Sequence, residues 1–141
     1  MWLSRRILIA DDDPDLREGV ADLLEQMRVP DLSFDIDAVE DGDEALARLR
    51  QRSYHLALLD HHMPRRTGLE VLASLRDETL SVPCIVISGE ATDALRKLAL
   101  SQGARAVLRK PVDAALLRNE VVRVFTEPPF DSALQARLGR D

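Results

Sequence analysis

Ile7-Leu8-Ile9-Ala10-Asp11-Asp12-Asp13-Pro14-Asp15 is an apolar run that ends abruptly in acid. Four consecutive apolar residues without alternation suit a parallel strand covered on both faces. The proline and acids beyond them suit a helix start, where carboxylates cap free N–H groups and proline sacrifices no hydrogen bond. The same strand-then-helix unit recurs outward from this stretch. Further apolar runs begin at Phe34, Leu56, Cys84 and Ala106, spaced widely enough for a crossover helix and two loops. Phe34, Ile36 and Ala38 alternate with Asp35 and Asp37, which predicts an edge strand with one wetter face. Between the runs lie helical stripes: Leu16, Val20, Leu23, Leu24 and Met27, then Ala45, Leu46 and Leu49. Leu69, Leu72 and Leu75 follow Gly68; Leu95, Leu98 and Ala99 lead to a stop at Gly103; Leu117, Val121, Val124 and Phe125 follow Pro111. Five β-α units in succession predict a doubly wound α/β sandwich.

Composition narrows the class. The 141 residues suit one domain, which typically needs about 50–200. The net charge is -6, from 19 basic and 25 acidic side chains, the wrong sign for direct nucleic-acid binding. Cys84 is the one cysteine, so no internal disulfide can form, and a reducing, cytoplasmic setting is expected. No apolar run approaches membrane-spanning length, and the amino terminus lacks a secretory apolar core. Residues 126–141 break the pattern at Pro128-Pro129; Phe130, Leu134 and Leu138 there suit either a short helix or a frayed end.

In a parallel α/β sheet the functional crevice lies beyond the carboxyl ends of the strands. The first run ends in Asp11-Asp12-Asp13, the third in Asp60, the fourth in Ser88 and the fifth in Arg109-Lys110-Pro111. The second ends in Glu40-Asp41-Gly42, which reads as a turn and helix cap. If the other four strands are neighbours, three carboxylates, a hydroxyl and a lysine converge. Carboxylates that close must be protonated, paired or metal-bound, and an all-oxygen set suits Mg2+. His61 and His62 invite a transition-metal reading, but adjacent rings rarely aim at one ion and nothing completes their set. Asp13 and Asp15 are better read as helix-start acids than as ligands.

These stretches together resemble the receiver domains of two-component response regulators. The resemblance covers residues 5–125. It rests on the run through Asp11-Asp12-Asp13-Pro14, then Leu58-Leu59-Asp60-His61-His62-Met63-Pro64 with Gly68, then Val86-Ile87-Ser88-Gly89, then Gly103-Ala104 leading to Lys110-Pro111. It implies a flavodoxin-like (βα)5 fold whose five-stranded parallel sheet runs 2-1-3-4-5. Asp60 matches the phosphoacceptor, taking its phosphoryl group from a phosphohistidine. Asp11, Asp12 and Asp60, with the backbone carbonyl of His62, match the Mg2+ ligands. Ser88 and Lys110 match the groups that contact the phosphoryl oxygens, with Lys110-Pro111 expected to be cis. The implied partners are a sensor histidine kinase or histidine phosphotransfer protein, and a downstream protein effector or an output domain elsewhere. A monomer or a phosphorylation-dependent dimer is implied, without enzymatic turnover beyond self-catalysed phosphotransfer and dephosphorylation.

Two departures from the family pattern stand out. Val107 occupies the place, three residues before the lysine, where receivers usually carry Tyr or Phe, so no ring is available to swing inward. Gly103-Ala104-Arg105-Ala106-Val107 also lacks the acidic pair of winged-helix transcription-factor receivers. Two other readings compete. A pseudo-receiver would act only as an interaction surface. A haloacid-dehalogenase-like Mg2+ phosphatase would use Asp11 as nucleophile and Asp13 as acid-base, but Pro14-Asp15 breaks that pattern and leaves Asp60 without a role. Met1 suggests an intact amino terminus, whereas Arg140-Asp141 fits either a native end or a boundary within a longer protein.

Overall fold

A computed structural model describes residues 3–126. The chain alternates β1 (Leu3–Ala10), α1 (Pro14–Gln26), β2 (Leu32–Val39), α2 (Gly42–Gln51) and β3 (Leu56–Asp60). It continues with α3 (Gly68–Asp77), β4 (Cys84–Ser88), α4 (Asp93–Ser101), β5 (Ala106–Arg109) and α5 (Ala114–Thr126). The five strands form one parallel sheet in the expected order 2-1-3-4-5. β2 is an edge strand, as its alternation predicts. The proposed helix around Phe130, Leu134 and Leu138 lies outside the described residues.

Pleating sends alternate residues of each strand into two cores. Leu8, Ala10, Ala57, Leu59, Val86 and Val107 meet α2, α3 and α4 through residues such as Leu46, Leu72 and Ala99. Ile7, Ile9, Leu58, Ile85 and Ile87 meet α1 and α5 through Val20, Leu24, Leu117 and Val121. Helices therefore cover both faces, which is why β3 and β4 are buried along their whole length.

Helix boundaries follow local chemistry. Asp13 caps α1, accepting from the N–H groups of Asp15 and Leu16. Asp41 caps α2, and Thr67 with Glu70 forms a reciprocal capping box on α3. Gly103 follows α4 at φ 102°, a backbone state open to glycine at little cost.

Two expectations need correction, and a third is refined. Met27 keeps its place on the apolar stripe of α1, closing the helix as its C-cap while packing, partly buried, against the α1–α5 core. Leu98, which periodicity puts on the inward stripe of α4, is 48% exposed, and Ala99 makes the buried contact. Alanine's small side chain allows the helix to approach β5 closely. In β2 the simple wet-and-dry alternation fails: Ala38 is exposed, while Asp37 is half-buried beneath Tyr54. The Tyr54 hydroxyl donates to Asp37 at 2.6 Å, and Arg52 adds an ion pair at 3.3 Å, so the carboxylate is satisfied where it lies.

Candidate functional site

Because β1, β3, β4 and β5 are parallel neighbours, their carboxyl ends bring Asp11, Asp60, Ser88 and Lys110 to one rim of the sheet. Asp11 is 5% exposed, Asp60 3% and Ser88 fully buried, whereas Asp12 faces solvent. Carboxylate oxygens of Asp11, Asp12 and Asp60 all lie within 4.8 Å of one another. Lys110 Nζ sits 3.3 Å from Asp11 Oδ2 and 3.1 Å from Asp60 Oδ1, bridging the two buried acids.

Backbone contacts hold the loops in place. The Asp13 N–H donates to Asp11 Oδ1 at 2.9 Å, and the His62 N–H reaches Asp60 Oδ1 at 3.4 Å. The His61 N–H donates to the Ile87 carbonyl and the Lys110 N–H to the Ser88 carbonyl, extending the ladder past the strand ends. The Glu90 N–H donates to Ser88 Oγ at 3.1 Å. The Lys110-Pro111 bond is cis, as the resemblance implied. At Gly68 an added Cβ would lie 2.8 Å from the Asp60 carbonyl oxygen, so only glycine lets α3 start this close to β3.

The electrostatics follow from burial. Desolvation, then the charge of Asp11, pushes the Asp60 carboxyl up to about 6, although Lys110 and the His62 N–H oppose the shift. A shift of about two units costs roughly 3 kcal/mol. Burying Leu56, Leu58 and Leu59 on the same strand returns roughly 1.5–3 kcal/mol each, so β3 tolerates its terminal carboxylate. Burial works against the charge of Lys110, but hydrogen bonding and attraction to Asp60 and Asp11 outweigh it and raise its pKa. The donor set is all oxygen, two of its acids are buried, and their repulsion is only partly answered by one lysine. That combination fits Mg2+.

Among the described residues, the metal-competent group comprises these three aspartates without His61 or His62. The two imidazoles lie 4.8 Å apart, and burial followed by the neighbouring His62 holds His61 below its usual range. The His62 side chain is exposed. Asp13 Oδ1 accepts from the N–H groups of Asp15 and Leu16 and so takes the helix-start role that the sequence assigns it. Two functional neighbours escaped the sequence. Arg17 donates to the Asp11 carbonyl at 2.8 Å, and Arg96 to the Val107 carbonyl at 2.9 Å. An arginine one turn into a helix carries no pattern that would single it out.

The family model for the response regulator receiver domain matches residues 7–122. The chain belongs to this family of receiver domains. Among curated relatives, this receiver domain is 30% identical over 130 residues to the transcriptional regulatory protein CrdR of Helicobacter pylori. That match covers 92% of the present chain and 59% of the relative, so the chain spans well under the full length of that regulator. It is 32% identical over 115 residues to the sensor protein EvgS of Escherichia coli, covering 82% of this chain and 9% of that one. Among solved structures, the signal receiver domain of the putative response regulator NarL from Mycobacterium tuberculosis superposes with a TM-score of 0.70 at 30% identity. There the coverage is 97% of this receiver domain and 98% of the other. Among the described residues no helix is long and apolar enough to cross a membrane.

Proposed function

We propose that this receiver domain accepts a phosphoryl group on Asp60 from a phosphohistidine of a sensor histidine kinase or histidine phosphotransfer protein. The observation that carries this reading is the bridge from Lys110 to Asp60 and Asp11 inside a cluster of three close carboxylates. In the transfer an Asp60 carboxylate oxygen attacks phosphorus, the phosphorus–nitrogen bond of phosphohistidine breaks, and the leaving imidazole keeps the electron pair and takes up a proton. The protein's work is to position groups and neutralise charge. Lys110 supplies a fixed cation beside the acceptor, and Ser88 a neutral hydroxyl that can turn from the Glu90 N–H toward a phosphoryl oxygen. Asp11, Asp12, Asp60 and the His62 carbonyl would hold Mg2+, which when bound neutralises charge on the transferring phosphoryl group.

The aspartyl phosphate adds about 1.5–2 negative charges beside Ser88 and Lys110. Both residues lead directly into loops, toward α4 and α5, so a change there alters an interaction surface read by a protein effector or an output domain. We place this activity in the cytoplasm, as a monomer or phosphorylation-dependent dimer, with no direct nucleic-acid contact by these residues. One observation favours a second reading, a pseudo-receiver: buried Val107 stands where the switching ring would be.

Incubation with acetyl phosphate or a cognate kinase and Mg2+ tests both. The proposal expects an acid-labile adduct on Asp60 that Asp60→Asn abolishes and EDTA suppresses. A label that survives acid, or persists in Asp60→Asn, contradicts it. No label under any condition favours the pseudo-receiver.

A further inference from the structure

We infer that Arg17 is a positioning residue for the metal-binding acids, acting through the peptide that joins Asp11 to Asp12. This inference rests on the Mg2+ site proposed above. The Arg17 side chain is 18% exposed, and its Nη1 donates to the Asp11 carbonyl at 2.8 Å. Its own backbone N–H is held by the Asp13 carbonyl at 2.9 Å, within the first turn of α1. On the other side of the same residue, the Asp11 N–H donates to the Val39 carbonyl at 3.2 Å. Asp11 is thus pinned at both backbone groups, one by β2 and one by Arg17.

Asp12 depends on that arrangement. Its side chain is exposed, and among the described residues no hydrogen bond or ion pair orients its carboxylate. The Asp11–Asp12 peptide plane sets where the Asp12 side chain leaves the backbone, since the plane itself does not flex. Rotation of the Asp11 carbonyl would redirect Asp12 away from Asp11 and Asp60. A guanidinium gives a charge-assisted bond with fixed geometry, stronger than water can supply at that carbonyl. Its contact with Glu40, at 3.8 Å to a 74% exposed side chain, is a weaker outer tether.

Charge and position make opposite predictions here. A cation near two metal ligands repels a divalent ion, so on charge alone Arg17→Ala would tighten Mg2+ binding. If Arg17 acts by position, its removal weakens binding. Outer partners of metal ligands commonly shift affinity about 10- to 100-fold, and an indirect backbone contact belongs near the lower bound, about tenfold.

The test is a titration of the full chain with Mg2+ alone at fixed ionic strength, followed by amide chemical shifts of residues 11–13 and by calorimetry. Arg17→Ala is expected to raise Kd about tenfold and to move those amide shifts before metal is added. Arg17→Lys keeps the charge without the planar fork and is expected to fall between wild type and Arg17→Ala. Glu40→Gln keeps the carbonyl contact and is expected to bind like wild type. An unchanged or lower Kd in Arg17→Ala overturns the inference, as does a melting temperature loss with unaltered Kd and shifts. If Arg17→Ala does not fold, Arg17→Lys decides: a Kd equal to wild type overturns the inference. Absence of Mg2+ binding by wild type would overturn the site proposal itself, a different result from a bound metal indifferent to Arg17.

Discussion

The guanidinium of Arg96 on α4 donates to the backbone carbonyl of Val107 on β5 at 2.9 Å. It tethers a helix to the strand position where related receivers usually carry a ring. α4 otherwise meets the core mainly through Ala99, with Leu98 and Leu100 about half exposed. A single charged hydrogen bond therefore carries much of the α4–β5 registration. Arg96→Ala is expected to destabilise the fold by about 1–2 kcal/mol. The amides of 93–101 should also exchange faster with solvent than those of α2. Amide exchange by mass spectrometry checks this; protection of α4 equal to wild type would contradict it.

Placing a ring at position 107 should destabilise the core. Val107 is 2% exposed and belongs to the core shared with Val86, Ala99 and Ala104. Val107→Tyr inserts a bulky ring into that space and is expected to cost about 1–3 kcal/mol, as overpacking does. Urea unfolding measures it. A midpoint at or above wild type would mean that the core has room for the ring.

The raised pKa of Asp60 makes a signed prediction. Its carboxyl titrates near 6 in the fold against an ordinary value of 3.8. Between those values the native state binds more protons than the unfolded chain, so stability from this group falls as pH rises from about 4 to about 6. The full penalty persists at neutral pH. Asp60→Asn removes it and is expected to raise metal-free stability at pH 7 by about 1–3 kcal/mol. Thermal melts in EDTA from pH 4 to pH 8 should show a flatter profile for the variant. Lys110 has the same sign of slope at much higher pH: its raised pKa supports the fold below its ordinary value, and that support is lost only in strong alkali.

Metal should stabilise the protein by mass action. At ten times its Kd, Mg2+ is expected to add about 1.4 kcal/mol to unfolding, and EDTA should reverse the gain. Asp12→Asn, which changes an exposed side chain and leaves the Lys110 bridge intact, should lose most of that increment while keeping wild-type stability without metal. Equal Mg2+ shifts in wild type and Asp12→Asn, read by calorimetric melts, would remove Asp12 from the ligand set.

Much of this was legible in the sequence because it is written as local order. Continuous apolar runs at Ile7, Leu56 and Cys84 declared buried parallel strands, and polar residues at their ends declared the rim. Asp13 as a cap, Asp41 as a cap and Gly103 as a stop each follow from one turn of backbone chemistry. What escaped depends on residues far apart in the chain. Tyr54 satisfying Asp37 across the α2–β3 connection, and Arg96 reaching Val107, are set by tertiary distance. Leu98 looked inward by periodicity because a stripe cannot reveal that Ala99 alone makes the close approach. Arg17 was invisible for a different reason: it binds a main-chain oxygen, and every residue has one.

The sheet separates two hydrophobic cores with different helices and no shared side chains. Substitutions on the α1–α5 layer and on the α2–α3–α4 layer should therefore add rather than interfere. Either layer can thus be repacked by substitution without disturbing the side chains of the other. The layers meet at the aspartate rim, and that is where a change on one side becomes the other side's concern.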